Sequence, residues 1–193
     1  MTVGVLLGAC VSAGPPPTLT GVAMTKYPVR TYRVRGNTGP EVNRSLFRGG
    51  ANIIGTPGAL AVAKIGFEFE GEPVQRRSVC LVENADVTVD AEVTVPVWRS
   101  TRRASPELRA AWKDFEGYAR WHEEQHILIA ERFAARVEAA IESARARTCD
   151  SLTVQVNRVV RRIGRQHDAA QRQFDVNERR RVRRLLNAID QAA

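Results

Sequence analysis

Hydrophobic and polar positions follow a helical period through the second half of the chain, most clearly between residues 108 and 133. One stripe collects apolar side chains and two histidines at a 4-3 spacing: Leu108, Trp112, Phe115, Ala119, His122, His126, Ile129 and Phe133. Ser105-Pro106-Glu107 adds a cap, a proline at the first helical position and an acid in the first turn. The pattern predicts a helix from about residue 106 to about residue 147, with Glu124 and Arg132 outside its buried stripe.

A second apolar row with a spacing near 3.6 runs through residues 152–189. Residues 148–151 break the first pattern, and Asp150 or Ser151 is expected to cap the next helix. Two polar residues, His167 and Glu178, fall within the second row, and Asp175 lies next to it. Because each helix has only one apolar stripe to bury, we expect the two stripes to face each other.

The first half of the chain has the alternating pattern of β-strands. Strands are predicted at residues 31–35, 65–69, 79–82 and 87–95, and Pro96 is expected to end the last one. A helix is predicted from Gly39, with Gly49-Gly50 as its stop. The fold class is therefore α+β: a small antiparallel N-terminal sheet packed with long C-terminal helices, in one domain over residues 25–193. One edge of the sheet could align a substrate peptide.

His122-Glu123-Glu124-Gln125-His126 lies in the middle of the first long helix and has the form H-E-x-x-H. A helix turns about 100° per residue, so His122 and His126 lie one turn apart on the inward-facing stripe. Two imidazoles in this arrangement can share one Zn²⁺, and Glu123 beside them can take a proton from a water molecule at the metal. The alternative is a pair of buried histidines bonded to core groups, which would bring two desolvated polar rings into one core patch.

The chain begins with a short apolar stretch that predicts export. Residues 1–10 are too few to span a bilayer and end in Leu7-Gly8-Ala9-Cys10, which is similar to a lipoprotein cleavage site with lipidation of Cys10. The basic region that usually precedes such a site is missing, and residues 11–13 offer an ordinary signal-peptidase site. Residues 1–24 are thus interpreted as a signal or lipoprotein-like segment with a Pro-rich tether, and the domain as periplasmic or membrane-anchored. The alternative is an apolar N-terminus without this role.

The chain has three cysteines, Cys10, Cys80 and Cys149. If Cys10 carries lipid, an even pair remains, and that pair could form a disulfide in an oxidising compartment. Two separate buried thiols are the alternative.

Positive charge is concentrated late in the chain. The net charge is +8 over 193 residues, and ten arginines lie between residues 158 and 184. They indicate either an anionic partner or a solvated helix face. They are not interleaved with a series of aromatic residues that could stack bases, so a nucleic-acid partner is not expected. The hydrophobic fraction of 44% excludes wholesale disorder.

Several of these features together resemble one family, the predicted secreted zinc-dependent proteases of bacteria, long described as a domain of unknown function. The resemblance covers about residues 32 to 175 and rests on the following segments: Tyr32 to Gly36, Val79-Cys80-Leu81-Val82, the Val-rich strand with Pro96 and Trp98, Trp112 and Phe115 before H-E-x-x-H, Thr148 to Leu152, and Phe174-Asp175. It implies a zincin-like active-site helix, a Cys80–Cys149 disulfide and a metalloprotease-like site.

The last motif departs from the family pattern. Phe174 stands where the family has tyrosine, Glu178 where it has threonine, and Arg180-Arg181 where it has His-Gly. The retained Asp175 is therefore the first choice for the third zinc ligand, with Glu178 and His167 as the fallbacks. Phe174 has no hydroxyl to assist an oxyanion, and Tyr118 is expected on another face of its helix.

The sequence thus predicts a zinc-dependent peptidase of the bacterial cell envelope that acts on a protein or peptide. His122, His126 and Asp175 would hold Zn²⁺, and Glu123 would be the general base. Two alternatives are a catalytically inactive envelope protein that keeps the metal, and a basic binding module that uses its Arg-rich helix.

Overall fold

The computed structural model describes residues 26–54, 58–99 and 102–192, without the side chains of residues 51–54. The expectations for residues 1–24, including lipidation of Cys10, lie outside these ranges. Within these ranges four strands and three helices follow one another as β1 (Val29–Val34), α1 (Gly39–Ile54), β2 (Val62–Arg76), β3 (Val79–Trp98), α2 (Pro106–Ser143), β4 (Arg145–Ala146) and α3 (Cys149–Gln191). Among the described residues, no helix has both the length and the apolar character of a membrane span.

The strands form one mixed sheet in the order β1-β3-β2, with β4 paired to the start of β3. β2 and β3 are an antiparallel hairpin, whereas β1 pairs with β3 in parallel, with Val29 opposite Val93. The α+β class is confirmed, but the prediction of a purely antiparallel sheet is wrong for β1. A parallel neighbour requires a crossover, and here α1 lies in the long connection between β1 and the hairpin.

β3 is one strand of 20 residues where two shorter strands were predicted. Between the two predicted strands the chain forms a β-bulge and stays within one strand. Asn84 has a φ of 53° there, and the register on β2 shifts opposite it, between Glu70 and Glu72. Pro96 also does not end the strand. Val93 donates its N–H to the Pro28 carbonyl on the β1 side. Backbone N–H groups along a strand point alternately to its two neighbours, so the Pro96 nitrogen, three residues later, points to the β2 side. Pairing with β2 has already ended at Thr94, so no hydrogen bond is lost because proline has no N–H.

α1 continues past the glycines that were predicted to stop it. A Cβ at Gly49 would lie 2.6 Å from the Tyr32 ring, and one at Gly50 would lie 2.0 Å from the Ala59 carbonyl oxygen. These glycines therefore allow close packing of the helix and do not terminate it. Tyr32 is buried and donates its hydroxyl to the Leu60 carbonyl at 2.6 Å.

The two long helices lie against the sheet and against each other. α2 begins at the predicted proline and is capped by the Ser105 hydroxyl. The prediction of Asp150 or Ser151 as the cap of α3 is wrong, because the helix already begins at Cys149 and the Thr148 hydroxyl accepts the N–H of Ser151. α2 ends at Ser143, before the predicted end, because residues 145–146 pair with β3. Glu124 was expected outside the buried stripe but is only 6% exposed. The reason is that β3 and α3 cover different sides of α2, so its buried sector is wider than one stripe.

The core extends along the whole length of these helices. At one end the C-terminal Ile189 of α3 packs with Val42, Leu46, Leu108 and other buried side chains of α1, β1 and α2. At the other end Cys80 of β3 forms a disulfide with Cys149, the first residue of α3. The disulfide that the family resemblance implies is thus present, and it fixes the start of α3 to the sheet.

Candidate metal centre

The H-E-x-x-H residues occupy the middle of α2, where the helix faces both α3 and the edge of β2. The side chains of His122 and His126 are 15% and 14% exposed and point toward α3. Glu123, between them in sequence, is 4% exposed. The helical period predicted the positions of both histidines, because i and i+4 residues lie above each other on one face.

Three polar atoms from α2 and α3 converge on one point. The Nε2 atoms of His122 and His126 are 3.1 Å apart. The Asp175 Oδ1 atom lies 3.2 Å from Nε2 of His122 and 3.0 Å from Nε2 of His126. Among the described residues, these three form the one group of histidine, cysteine or carboxylate side chains close enough to hold a metal ion together.

This donor set fits Zn²⁺ by its dimensions. Ligand atoms at about 2.0–2.1 Å from a tetrahedral Zn²⁺ are about 3.3 Å from one another. The three distances of 3.0, 3.1 and 3.2 Å are close to that separation. Two nitrogens and one carboxylate oxygen are also a ligand set used by catalytic zinc sites.

The far side of His126 is held by Gln171 of α3. The Gln171 side-chain oxygen accepts a hydrogen bond from Nδ1 of His126, and its amide donates to the backbone carbonyl of His126 at 3.0 Å. The same amide donates to Nε2 of His167 at 2.8 Å. A proton on Nδ1 of His126 leaves the lone pair of Nε2 directed at the cluster.

His122 is held in the same way by a tyrosine and a carboxylate. The Tyr118 hydroxyl lies 3.2 Å from Nδ1 of His122 and donates to Glu178 at 3.1 Å. Burial, and next the charge of Glu178, raise the pKa of Tyr118, so the hydroxyl keeps its proton at neutral pH. Nδ1 of His122 therefore donates to Tyr118, and its Nε2 lone pair also faces the cluster.

With both imidazole protons on Nδ1, lone pairs of His122 Nε2, His126 Nε2 and Asp175 Oδ1 face one another with no hydrogen atom between them. Burial, and next the neighbouring His126, lower the pKa of His122, which favours its neutral form. Neutral imidazole is the form that binds a metal. A cation between the three atoms would satisfy this arrangement, so the residues present fit Zn²⁺ by charge as well as by distance.

Glu123 lies beside the cluster against the sheet. Burial raises its pKa to about 8, the backbone N–H of Ala63 on β2 opposes this shift by donating to the carboxylate, and Asp175 adds to it. A divalent cation at the cluster would lower this pKa and favour the carboxylate. The contact with Ala63 fixes the carboxylate next to the open edge of β2.

A cleft of about 720 Å³ is lined by the three converging side chains, by Glu123, and by Tyr118 and Gln171. Its walls are the segment from Gly58 to Ala63, the inward face of α2, and Gln171, Asp175 and Arg179 of α3. Phe174 packs against both histidines, with ring centroids 4.8 Å from His122 and 5.1 Å from His126. The cluster of His122, His126 and Asp175 therefore lies in an open cleft between a sheet edge and two helices.

The two fallback ligands lie outside the cluster. Glu178 bonds to the Tyr118 hydroxyl, and Nδ1 of His167 lies 3.2 Å from Asp168 while its Nε2 faces Gln171. The expectation that Tyr118 lies on another face is wrong, because it precedes His122 by four residues and so shares its face. Gln171 was missed, although its position beside the second apolar row, one turn before Asp175, could have drawn attention to it.

One family matches the chain, and it is described as "Bacterial protein of unknown function (DUF922)". The match covers residues 29–181, from the first residue of β1 to beyond Asp175. No curated protein and no solved structure matches the chain. With most of its length matched, the chain belongs to this family of bacterial proteins of unknown function.

Proposed function

We propose that this protein is a zinc-dependent peptidase of the bacterial cell envelope. The observation that supports this function best is the convergence of His122, His126 and Asp175 in a cleft that also contains the buried Glu123. Zinc sites with three protein ligands and an adjacent carboxylate are typical of enzymes that hydrolyse amide bonds. The family match names no activity, so the proposal rests on the side chains.

In this proposal the residues of the cleft divide the work between them. His122, His126 and Asp175 hold the metal, and Tyr118 and Gln171 keep the imidazoles oriented. Bound Zn²⁺ is a Lewis acid that polarises a carbonyl oxygen and lowers the pKa of water. The Glu123 carboxylate accepts a proton from the attacking water and returns it to the leaving nitrogen.

The edge of β2 supports a peptide as the substrate. Within the described residues β2 is the last strand of the sheet, so one row of its backbone groups has no strand partner there. Residues 58–63 form one wall of the cleft. An extended peptide can add to such an edge by main-chain hydrogen bonds, and there its carbonyls would pass close to Glu123, which is bonded to Ala63.

The disulfide supports a location outside the cytosol. Disulfides persist mainly in oxidising compartments, and Cys80 and Cys149 are bonded to each other. Anchoring through a lipidated Cys10 is part of the same proposal. Mass spectrometry of the mature protein from a bacterial envelope fraction tests it, because lipidation adds a diacylglyceryl group to Cys10 and removes residues 1–9.

The activity is tested by metal analysis together with hydrolysis of a mixture of unstructured peptides. We expect about one Zn²⁺ per chain, lost in the His122→Ala and His126→Ala variants. His167→Ala is the matched control, since it removes the third histidine of the same cleft and should leave the zinc content unchanged. Zinc retained when both His122 and His126 are replaced would contradict the site.

Glu123→Gln separates catalysis from metal binding. It should keep zinc and lose hydrolysis by about 100-fold or more, as for the removal of a general base. Glu124→Gln is the control, because Glu124 is also buried but does not line the cleft. Equal hydrolysis by wild type and Glu123→Gln would exclude Glu123 as the base.

A second candidate is an envelope protein that binds the metal without catalysis. It is favoured by the departure of the last motif from the pattern of the resembling family, with Arg180-Arg181 in place of His-Gly. Stoichiometric zinc without hydrolysis of any peptide in the mixture would support this candidate over the peptidase.

A further inference from the structure

Most arginines of α3 lie on one side of the helix. At about 100° per residue, all arginines from Arg158 to Arg183 except Arg181 fall within about 100° of the helix circumference. We call these eight residues the arginine face. The buried residues of the helix, Leu152, Ile163 and Ile189, point in the opposite direction.

The arginine face has no counter-charges of its own. All eight of its side chains are exposed, and none makes an ion pair or a hydrogen bond with another residue of the described ranges. The three acids of the same stretch contact other groups: Asp168 lies against His167, Asp175 against the metal histidines, and Glu178 against Tyr118. The face therefore presents eight positive charges, none of them in an ion pair within the described residues, over about 38 Å at 1.5 Å per residue.

We propose that the arginine face binds the surface of a phospholipid bilayer that carries anionic headgroups. The side chains lie along a single helix, so one plane can contact all of them at once. The charge is entirely arginine on this face, and the guanidinium group forms paired hydrogen bonds with phosphate oxygens. Basic segments of this kind are attracted to anionic leaflets.

Two apolar side chains on the same face favour a bilayer over nucleic acid. Val154 and Val176 point into the arginine sector and are 57% and 48% exposed, among the few exposed large hydrophobic residues of the described chain. At a bilayer they can enter the boundary between headgroups and acyl chains, whereas a nucleic-acid backbone offers them no apolar contact. The face also carries no aromatic side chain to stack a base.

The position of the face relates the bilayer to the cleft. Arg179 belongs to the arginine face and also lines the cleft, one turn after Asp175. Contact through this face therefore brings the mouth of the cleft close to the membrane surface. The membrane contact does not depend on the proposed peptidase activity, and the two are tested separately.

Vesicle binding tests the proposal directly. The full chain is used as a Cys10→Ala variant, so that no attached lipid contributes to binding. We expect it to co-sediment with phosphatidylcholine vesicles that contain about one third phosphatidylglycerol, but not with pure phosphatidylcholine vesicles. Binding should weaken as salt is raised, because salt screens the attraction. Absence of binding to the anionic vesicles at low salt would overturn the proposal and leave the face as a solvated one.

Two variants that remove the same number of positive charges distinguish binding through this face from attraction by the net charge of the protein. The test variant replaces Arg158, Arg161, Arg165 and Arg172 with Gln, a good helix former. The control variant replaces four exposed arginines on other elements with Gln: Arg33, Arg44, Arg48 and Arg132. At roughly fivefold per arginine, the test variant should lose on the order of a hundredfold or more in vesicle affinity, and the control far less. Equal losses would overturn the assignment to this face.

The exposed valines distinguish a bilayer from nucleic acid. Val154→Asn with Val176→Asn should weaken vesicle binding several-fold and leave any weak binding to duplex DNA unchanged. Circular dichroism of each variant checks that the helices are intact. Tighter binding of the wild-type chain to duplex DNA than to anionic vesicles at the same salt would overturn the bilayer as partner.

Discussion

At the scale of single residues, the geometry of the two histidines is set by side chains outside the H-E-x-x-H motif. Gln171 holds His126 and Tyr118 holds His122, each through Nδ1. Such partners orient a ligand and fix which nitrogen carries the proton. The chemistry of the site therefore depends on α3 as much as on the motif helix.

Asp175→Ala should lower zinc affinity by more than about 100-fold, beyond the loss typical of residues that only support a ligand. The reason is that Asp175 supplies the single carboxylate oxygen of the cluster. Competition with a chelator measures the affinity. Asp168→Ala is the matched control, because it removes an exposed carboxylate of the same helix that contacts only His167. Unchanged zinc affinity in Asp175→Ala with a large loss in Glu178→Ala would show that the order of ligands is wrong.

Tyr118→Phe should weaken zinc binding by about 10–100-fold while the fold stays intact. The substitution removes the hydroxyl that accepts from His122 and donates to Glu178, and keeps the ring. Tyr27→Phe is the control, because its hydroxyl bonds to Glu131, outside the cleft. If both variants bind zinc like the wild type, Tyr118 has no orienting role.

The motif could be found from the sequence because the relation between His122 and His126 is local. Residues four apart lie on one helix face whatever the rest of the fold does. The choice of Asp175 required the resemblance to a family, since the pattern of the helix left His167 and Glu178 equally open. Gln171 could not be chosen over its neighbours, because that depends on the rotation of α3 about its axis, which distant core contacts determine.

At the scale of secondary-structure elements, the ends of α1 and α3 meet in a contact that permits no side chain. A Cβ at Gly39 would lie 1.9 Å from the carbonyl oxygen of Ile189. Gly39→Ala should therefore lower the free energy of unfolding by about 1–3 kcal/mol, as overpacking does. Urea denaturation measures it.

Gly164→Ala is the control for that substitution. Nothing in the described structure lies within 4 Å of a Cβ at Gly164, in the middle of α3. Alanine there should raise the free energy of unfolding by about 0.5–1 kcal/mol, because glycine is unfavourable inside a helix. Destabilisation by both variants would mean that the contact with Ile189 is not the cause.

The elements predicted from periodicity were correct where a long segment follows one period, as for α2 and α3. The predictions failed where the outcome depended on a partner far away in sequence. α1 passes Gly49 because Tyr32 packs there, and β3 passes Pro96 because β2 has already ended on that side. Rules based on local sequence treat glycine and proline as the ends of helices and strands. In this fold Gly49 allows close packing against Tyr32, and Pro96 lies where no N–H is needed for pairing with β2.

At the scale of the whole molecule, the disulfide closes a loop between residues 69 positions apart and holds the start of α3. Replacing both Cys80 and Cys149 with Ala should lower the free energy of unfolding by about 2–5 kcal/mol, with about 4 kcal/mol from chain entropy. Zinc affinity should fall too, because α3 carries Asp175. Cys10→Ala is the control and should unfold like the wild type. Equal stability of the double variant and the wild type would contradict a structural role for the bond.

The length of α3 has a consequence for when a newly made chain can bind zinc. One helix carries the disulfide at its first residue, Asp175 of the candidate metal site in its second half and the buried Ile189 near its end. In the reducing cytosol of the cell that makes it, the chain would lack the first of these attachments. Metal binding and folding are coupled, so a newly made chain would bind zinc weakly until its thiols are oxidised. If the chain is exported as proposed, the dependence of its fold on this disulfide delays zinc binding until the chain has left the cytosol.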